Sequence, residues 1–599
     1  MKLSGIAFLA AQCLLHAARP PFSPADLWTW RTAADARISP DGQWVVYVES
    51  RNDQQRDQTY ANLRLVSSDG KNSWALTQGD WRDTSPRWSP DGDRIAWIAE
   101  RGGKTQIRVR GRVGESDTVL AGLEQVPDGV AWSPAGDYLA LVAWVPSAMA
   151  PPAWAPPSIL GKLVRARQGH LQVFVVPVAG GTARQVSHGD FDCHGEPAWM
   201  ADGKSIVASC DGQVYRFRVA DGEATQLTTQ GRNEAPMPSS DGSRIAWLAS
   251  ADDHQGYTPR KVSVMNADGS RVKVLSGSLD RDAACPQWSS DSRTVYFIAD
   301  DRGATHVYAA RGDGTVRQVT SAAERLAGFS LADNGRAVSV RTTASSGGDV
   351  FTFTVDRVSQ PAVLAAPNEH LLAEREIAPA EEIGFSSEGN PIQGWMVKPP
   401  AFDSNRKYPL LLDIRDHPRT MYGVDFNLRA QVFAAAGFIV LCVNPRGSPG
   451  YGEVFGNLLP TRNPGDDYTD LMHAVDFVIG KGYIDTSRLT VAGGVLAAWT
   501  IGHTDRFRAA VAHHTTAGGP SRPWEDPDQY AKHAVIFFAQ SFKTPTLVLS
   551  GEEEDDAGEE LFAALQSRKV DSALVRLGKS PKPGDELAEW EVTLGWLRR

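Results

Sequence analysis

At 599 residues the chain is too long for one hydrophobic core, so two or more domains are expected. Its 42% hydrophobic and 22% charged content is that of a soluble globular protein. The formal charge of −10 lacks the basic footprint that phosphate binding requires, which argues against nucleic acid as a partner.

Lys2 and the apolar run "LSGIAFLAAQCLLHAA" precede "RPPFSPADLW", the expected start of a mature domain. The run is short for a membrane span and suits the apolar core of an export signal over residues 1–18, with cleavage near Ala17 or Ala18. Cys13 would leave with that signal, and the mature protein is expected to be periplasmic or secreted. No later segment is apolar for long enough to span a bilayer.

Over residues 22–372 a unit of the form P-x-W-S-P-D-G followed by apolar residues recurs seven times. It reads "ARISPDGQWVVYV" (36–48), "PRWSPDGDRIAWI" (86–98), "VAWSPAGDYLALV" (130–142) and "PAWMADGKSIVAS" (197–209). Further on come "PMPSSDGSRIAWL" (236–248), "PQWSSDSRTVYFI" (286–298) and the degraded "GFSLADNGRAVSV" (328–340). Asp-Gly supplies a tight turn and the alternating apolar residues supply the next strand. The spacing, mostly roughly 40 to 50 residues, fits one four-stranded propeller blade, so a seven-bladed β-propeller is expected. Tryptophan in the repeat is assigned to packing between blades. The Pro- and Ala-rich stretch 145–170 is expected to be a surface excursion.

Cys193 and Cys210 bracket one predicted hairpin whose turn centres on Ala201-Asp202, which places them opposite each other. A disulfide suits an exported protein, and two separate buried thiols suit the spacing equally. Cys285 and Cys442 read as core residues. No spacing suggests a metal site, and no cofactor is expected.

Over 373–599 the pattern changes to strands alternating with helices. "YPLLLDIR", "IVLCVNPRG", "RLTVAGG", "RAAVAHH", "TPTLVLSG" and "SALVRLG" read as strands. "NLRAQVFAAAGF", "DDYTDLMHAVDFVIGKGY", "VLAAWTIGHTDRF" and "DELAEWEVTLGWLRR" read as helices. Such alternation predicts a doubly wound, mostly parallel sheet of the α/β-hydrolase type.

Within this half, "MYGVDFN", "VNPRGSPGYGEVFGN", "DDYTDLMHAVDFVIGKGYID", "RLTVAGG" and "WTIGHTDRFRAAVA" resemble the prolyl oligopeptidase family, in its dipeptidyl-peptidase and acylaminoacyl-peptidase branch. The resemblance implies a Ser-Asp-His hydrolase whose propeller restricts access to short or unfolded peptides. Each part of that machinery departs from the pattern. The elbow that would read G-G-S-x-G-G is about four residues short, so that Gly493-Gly494 meets Val495 with no serine. Thr490 falls within the strand and Thr500 well into the helix. Lys582 stands near the position of the general base, and no histidine follows His533. At the acid position stand Glu554 and Asp555, inside an acidic run expected to be a solvated loop.

The segment that would read H-G-G-P is Arg415-Asp416-His417-Pro418. An aspartate there opposes a developing oxyanion, and loss of one donor typically costs about 10²–10³ in rate. His417, His513 and His514 are expected near the old active-site mouth as polar loop residues, and Arg446 is expected to brace a loop. The sequence therefore points to a non-catalytic relative that binds a peptide or a partner protein, with its oligomeric state open. The alternative is an active serine exopeptidase of the dipeptidyl- or acylaminoacyl-peptidase type.

Overall fold

The structure, a computed structural model, describes residues 19–114, 116–146, 169–251, 257–356, 361–415, 420–459, 464–513, 524, 526–551, 556–578 and 582–599. The expected export signal and most of the Pro- and Ala-rich excursion lie outside these residues. Among the described residues no helix is long and apolar enough to cross a membrane.

The repeats fold as predicted, into seven antiparallel blades between Arg31 and Ala365. In the first, Arg31–Ile38, Trp44–Asp53, Gln58–Ser67 and Ser73–Ala75 pair in sequence order. The turns owe their shape to local chemistry. Ser39 Oγ donates to Asp41 Oδ1 at 2.5 Å, and Gly42 holds a φ of 72° that a side chain would resist. Serine–aspartate pairs at 89/91, 239/241 and 289/291 repeat the arrangement. Repeat tryptophans tie successive blades together. The indole of Trp88 donates to Arg37 O at 3.0 Å, Trp132 to Arg87 O at 2.9 Å, Trp199 to Ala131 O at 3.1 Å and Trp288 to Met237 O at 2.9 Å. The ring closes when Asn334 Nδ2 donates to Asp41 O and Arg336 Nη1 to Gly42 O, both at 3.1 Å.

Cys193 and Cys210 sit opposite each other in the fourth blade and are joined as a disulfide. Cys442 is buried, but Cys285 is exposed, not a core residue. It occupies a bulge in the innermost strand of the sixth blade, at a φ of 52°. Bulges with a left-handed residue recur at Asp35, Ser85 and Ala235 in other innermost strands, and each breaks the in–out alternation on which a burial reading depends.

The second half contains an eight-stranded sheet: β1 (Ala380–Ser387), β2 (Asn390–Val397), β3 (Tyr408–Asp413), β4 (Ile439–Asn444), β5 (Ile484–Gly493), β6 (Ala509–His513), β7 (Thr546–Gly551) and β8 (Ser572–Leu577). The spatial order is β1-β2-β4-β3-β5-β6-β7-β8, antiparallel at β1 and β2 and parallel from β4 onward. Helices α1 (Leu428–Ala435), α2 (Asp466–Ile479), α3 (Val495–His503), α4 (Pro527–His533), α5 (Asp556–Ser567) and α6 (Pro583–Leu597) accompany it. Residues buried on both faces, such as Leu410, Leu411, Val440 and Leu441, explain why the strands read as continuous apolar runs.

Two expectations need correction. Residues 22–30 do not belong to the propeller. Phe22 and Leu27 are buried in a cluster with Phe426, Trp590 and Leu594, and Arg375 pairs with Asp26 at 2.7 Å. Their apolar side chains find no inter-blade slot but fill a groove beside α6. The acidic run is also not wholly loop, since α5 begins at Asp556. Carboxylates in a first helical turn are favoured by its unpaired amides.

Candidate functional site

In an open α/β sheet, ligands bind beyond the carboxyl ends of the strands, and here those ends are Asp413, Asn444, Gly493, His513 and Gly551. The propeller is held against the neighbouring loops. Val424 N donates to Gly303 O at 3.0 Å, Arg302 N to Gly450 O at 3.1 Å and Glu453 N to Asp280 Oδ1 at 2.9 Å. Asn457 exchanges hydrogen bonds with the backbone of Tyr257, at 2.9 and 2.6 Å. "MYGVDFN" and "SPGYGEVFGN" thus serve as docking surfaces for the propeller.

Strand β5 passes into α3 with only Gly494 between them. Gly494 is the N-cap, at φ −81° and ψ −130°, and Ala497 N and Ala498 N donate to its carbonyl at 3.0 and 3.2 Å. Val495, the first helical residue, carries no hydroxyl. The nearby hydroxyls are engaged elsewhere: Thr490 Oγ1 donates to Leu410 O at 2.8 Å and Thr500 Oγ1 to Leu496 O at 2.7 Å, both within the core.

Lys582 is exposed at the N-cap of α6, where its backbone amide donates to Asp585 Oδ2 at 3.0 Å. That position suits a helix start and leaves the ammonium in water. Glu554, Asp555, Asp416, His417 and His514 lie outside the described residues. His513 ends β6 as a buried side chain, not a loop residue, because it still pairs with Leu549 of β7 inside the sheet.

Beside the elbow, Asp413 ends β3 and is buried. Arg429 Nη1 lies 2.5 Å from its Oδ1, and the Tyr422 hydroxyl donates to its carbonyl at 2.8 Å. Burial, with Asp413 beside it, pushes the Tyr422 hydroxyl well above its ordinary range, so it stays a neutral donor. The guanidinium of Arg415 lies over the Tyr422 ring, 4.3 Å from its centre. Burial likewise raises the Cys442 thiol and leaves it inert.

Arg446 braces the loop that follows β4. Its backbone and side chain both bond Asp470, with Nη2 2.6 Å from Oδ1, and Glu388 lies 2.9 Å away. The pairing locks the β4 loop to α2. The hydrogen bonds from Arg446 explain why Asp470 is tolerated at 0% exposure. Sequence reading missed Asp470 and Glu388, although the spacing Asp466, Asp467, Asp470 marks a charged stripe on a helix otherwise expected to bury its face.

Comparisons with known proteins agree with this architecture. The sequence profile of the prolyl oligopeptidase family matches residues 424–580, and that of the TolB beta propeller domain matches residues 141–324. An uncharacterized peptidase of Bacillus subtilis, YuxL, is 28% identical, with 91% of this chain and 93% of that protein covered. Dipeptidyl-peptidase 5 of Porphyromonas gingivalis is 24% identical, covering 96% and 95%. Among solved structures, Pyrococcus horikoshii acylaminoacyl peptidase superposes with a TM-score of 0.81 at 18% identity, covering 96% of this chain and 97% of that one. With a propeller of seven blades joined to an eight-stranded hydrolase sheet, this chain carries a prolyl oligopeptidase family domain over residues 424–580 together with a TolB-type beta propeller.

Proposed function

We propose that this protein is a non-hydrolytic member of a peptidase family, which retains peptide or partner-protein binding between the propeller and the hydrolase sheet. The observation that carries this reading is the junction Gly493-Gly494-Val495, where strand passes to helix without a nucleophile-bearing turn. A triad needs a hydroxyl at that point, a base within hydrogen-bond reach and an acid behind the base. Lys582 supports the same reading, since a solvated ammonium at a helix start is a poor base. Export to an oxidising compartment is part of the proposal, and the Cys193–Cys210 disulfide supports it.

A fluorophosphonate probe, together with dipeptidyl and acyl-aminoacyl chromogenic substrates, tests the reading on the purified full chain. No labelling and no turnover are expected. Labelling that maps to a residue of the hydrolase half would overturn it in favour of an exopeptidase.

A further inference from the structure

A cavity of about 210 Å³ lies where the propeller meets the hydrolase half, against the segment that follows β3. Ala323 and Ala344 of the propeller form one wall. Trp395, Val397 and Phe426, all nearly buried, form an apolar floor on the sheet side. The volume is below that of drug-sized pockets and fits a ligand of amino-acid dimensions.

The charges around this space are unequal in their commitments. Glu382 accepts from Gln393 Nε2 at 2.6 Å, and Asp425 faces Arg325 at 3.5 Å. Arg415 lines the same cavity, yet among the described residues its guanidinium makes no ion pair, and lies against the face of Tyr422. A guanidinium stacked on an aromatic ring keeps its in-plane N–H donors available, and those donors match a carboxylate in a bidentate fork.

We propose that this interdomain cavity binds a small carboxylate bearing an apolar substituent, with the carboxylate on Arg415 and the apolar group against Trp395, Val397 and Phe426. Two sources share that chemistry: a free apolar amino acid and the C-terminal residue of a peptide. The site is independent of hydrolysis, because it needs no nucleophile, so it can stand or fall without the non-hydrolytic reading.

Calorimetric titration of the purified full chain tests it with three probes: N-acetyl-L-leucine, N-acetyl-L-leucinamide and free L-leucine. The acetylated acid is expected to bind at least tenfold more tightly than its amide. Arg415→Gln should lose at least tenfold in affinity for the acid while its melting temperature stays near that of the wild type. Ala344→Trp, in an exposed turn at the cavity wall, should block binding by filling the space, and it keeps the test open if the arginine variant folds poorly. Tighter binding of the acetylated acid than of free leucine identifies a peptide C-terminus, and the reverse identifies a free amino acid. Equal affinity for acid and amide, no binding of any probe, or binding indifferent to both substitutions overturns the proposal.

Discussion

A Cβ placed on Gly493 would lie 2.6 Å from the carbonyl oxygen of Ile414. The end of β5 and the segment after β3 are therefore in backbone contact, with no room for a side chain between them. The contact joins the junction Gly493-Gly494-Val495 to the residues that follow β3. Only glycine permits so close an approach of the strand end to its neighbour.

Gly493→Ala should destabilise the hydrolase half by about 2 kcal/mol, because the backbone of Ile414 cannot yield as a flexible side chain would. Chemical denaturation of variant and wild type measures the loss. An unchanged midpoint would mean that the strand end has more freedom than its contacts imply.

Returning a hydroxyl is not expected to return chemistry. Val495→Ser places an alcohol at the first residue of α3, while Lys582 stands exposed at the start of α6. Fluorophosphonate labelling should stay at the wild-type level. A label on the introduced hydroxyl, located by peptide mapping, would show that a base is within reach.

Asp470→Asn should cost about 3 kcal/mol, since it leaves the nearly buried Arg446 with a weakened partner in place of its carboxylate. Thermal unfolding reads the effect. The double variant Arg446→Met with Asp470→Leu should recover much of the loss, because an apolar pair removes both buried charges together.

Removing the Cys193–Cys210 bridge should loosen the fourth blade. The two residues are 17 apart in sequence, and closing a loop of that size contributes about 3 kcal/mol. Denaturation with and without reductant, compared with the double serine variant, measures it.

Asp467 gives stability a pH dependence of unusual sign. Burial pushes its carboxyl up to about 7, and backbone amides of Gly465 and Tyr468 donate to it. With the folded value raised above the unfolded one, its contribution is fully present below about 4 and is lost as pH rises to about 7. Asp467→Asn keeps the acceptor oxygen, so the variant should match the wild type at about pH 4 and exceed it in stability at about pH 8. His503 acts oppositely: burial lowers its value, and its contribution, present above its unfolded value, is lost as the solution is acidified.

Local rules made much of this protein legible from sequence alone. The Asp-Gly turns and alternating strands are short-range features, and seven copies of one supersecondary unit can satisfy their edges by stacking in a ring. Buried parallel strands between helices also carry a local signature, and the absence of a serine near Gly494 is a matter of covalent order. The tertiary structure decided what depends on distant partners. Phe22 and Leu27 left the propeller because an apolar groove lay beside α6, far along the chain. Cys285 turned outward because a bulge, set by pairing between strands, shifted the alternation. Arg446 acquired its meaning from Asp470 and Glu388, and Arg415 from the ring of Tyr422 and the walls around it. Charge and burial are properties of a neighbourhood, and the neighbourhood exists only after the chain has folded.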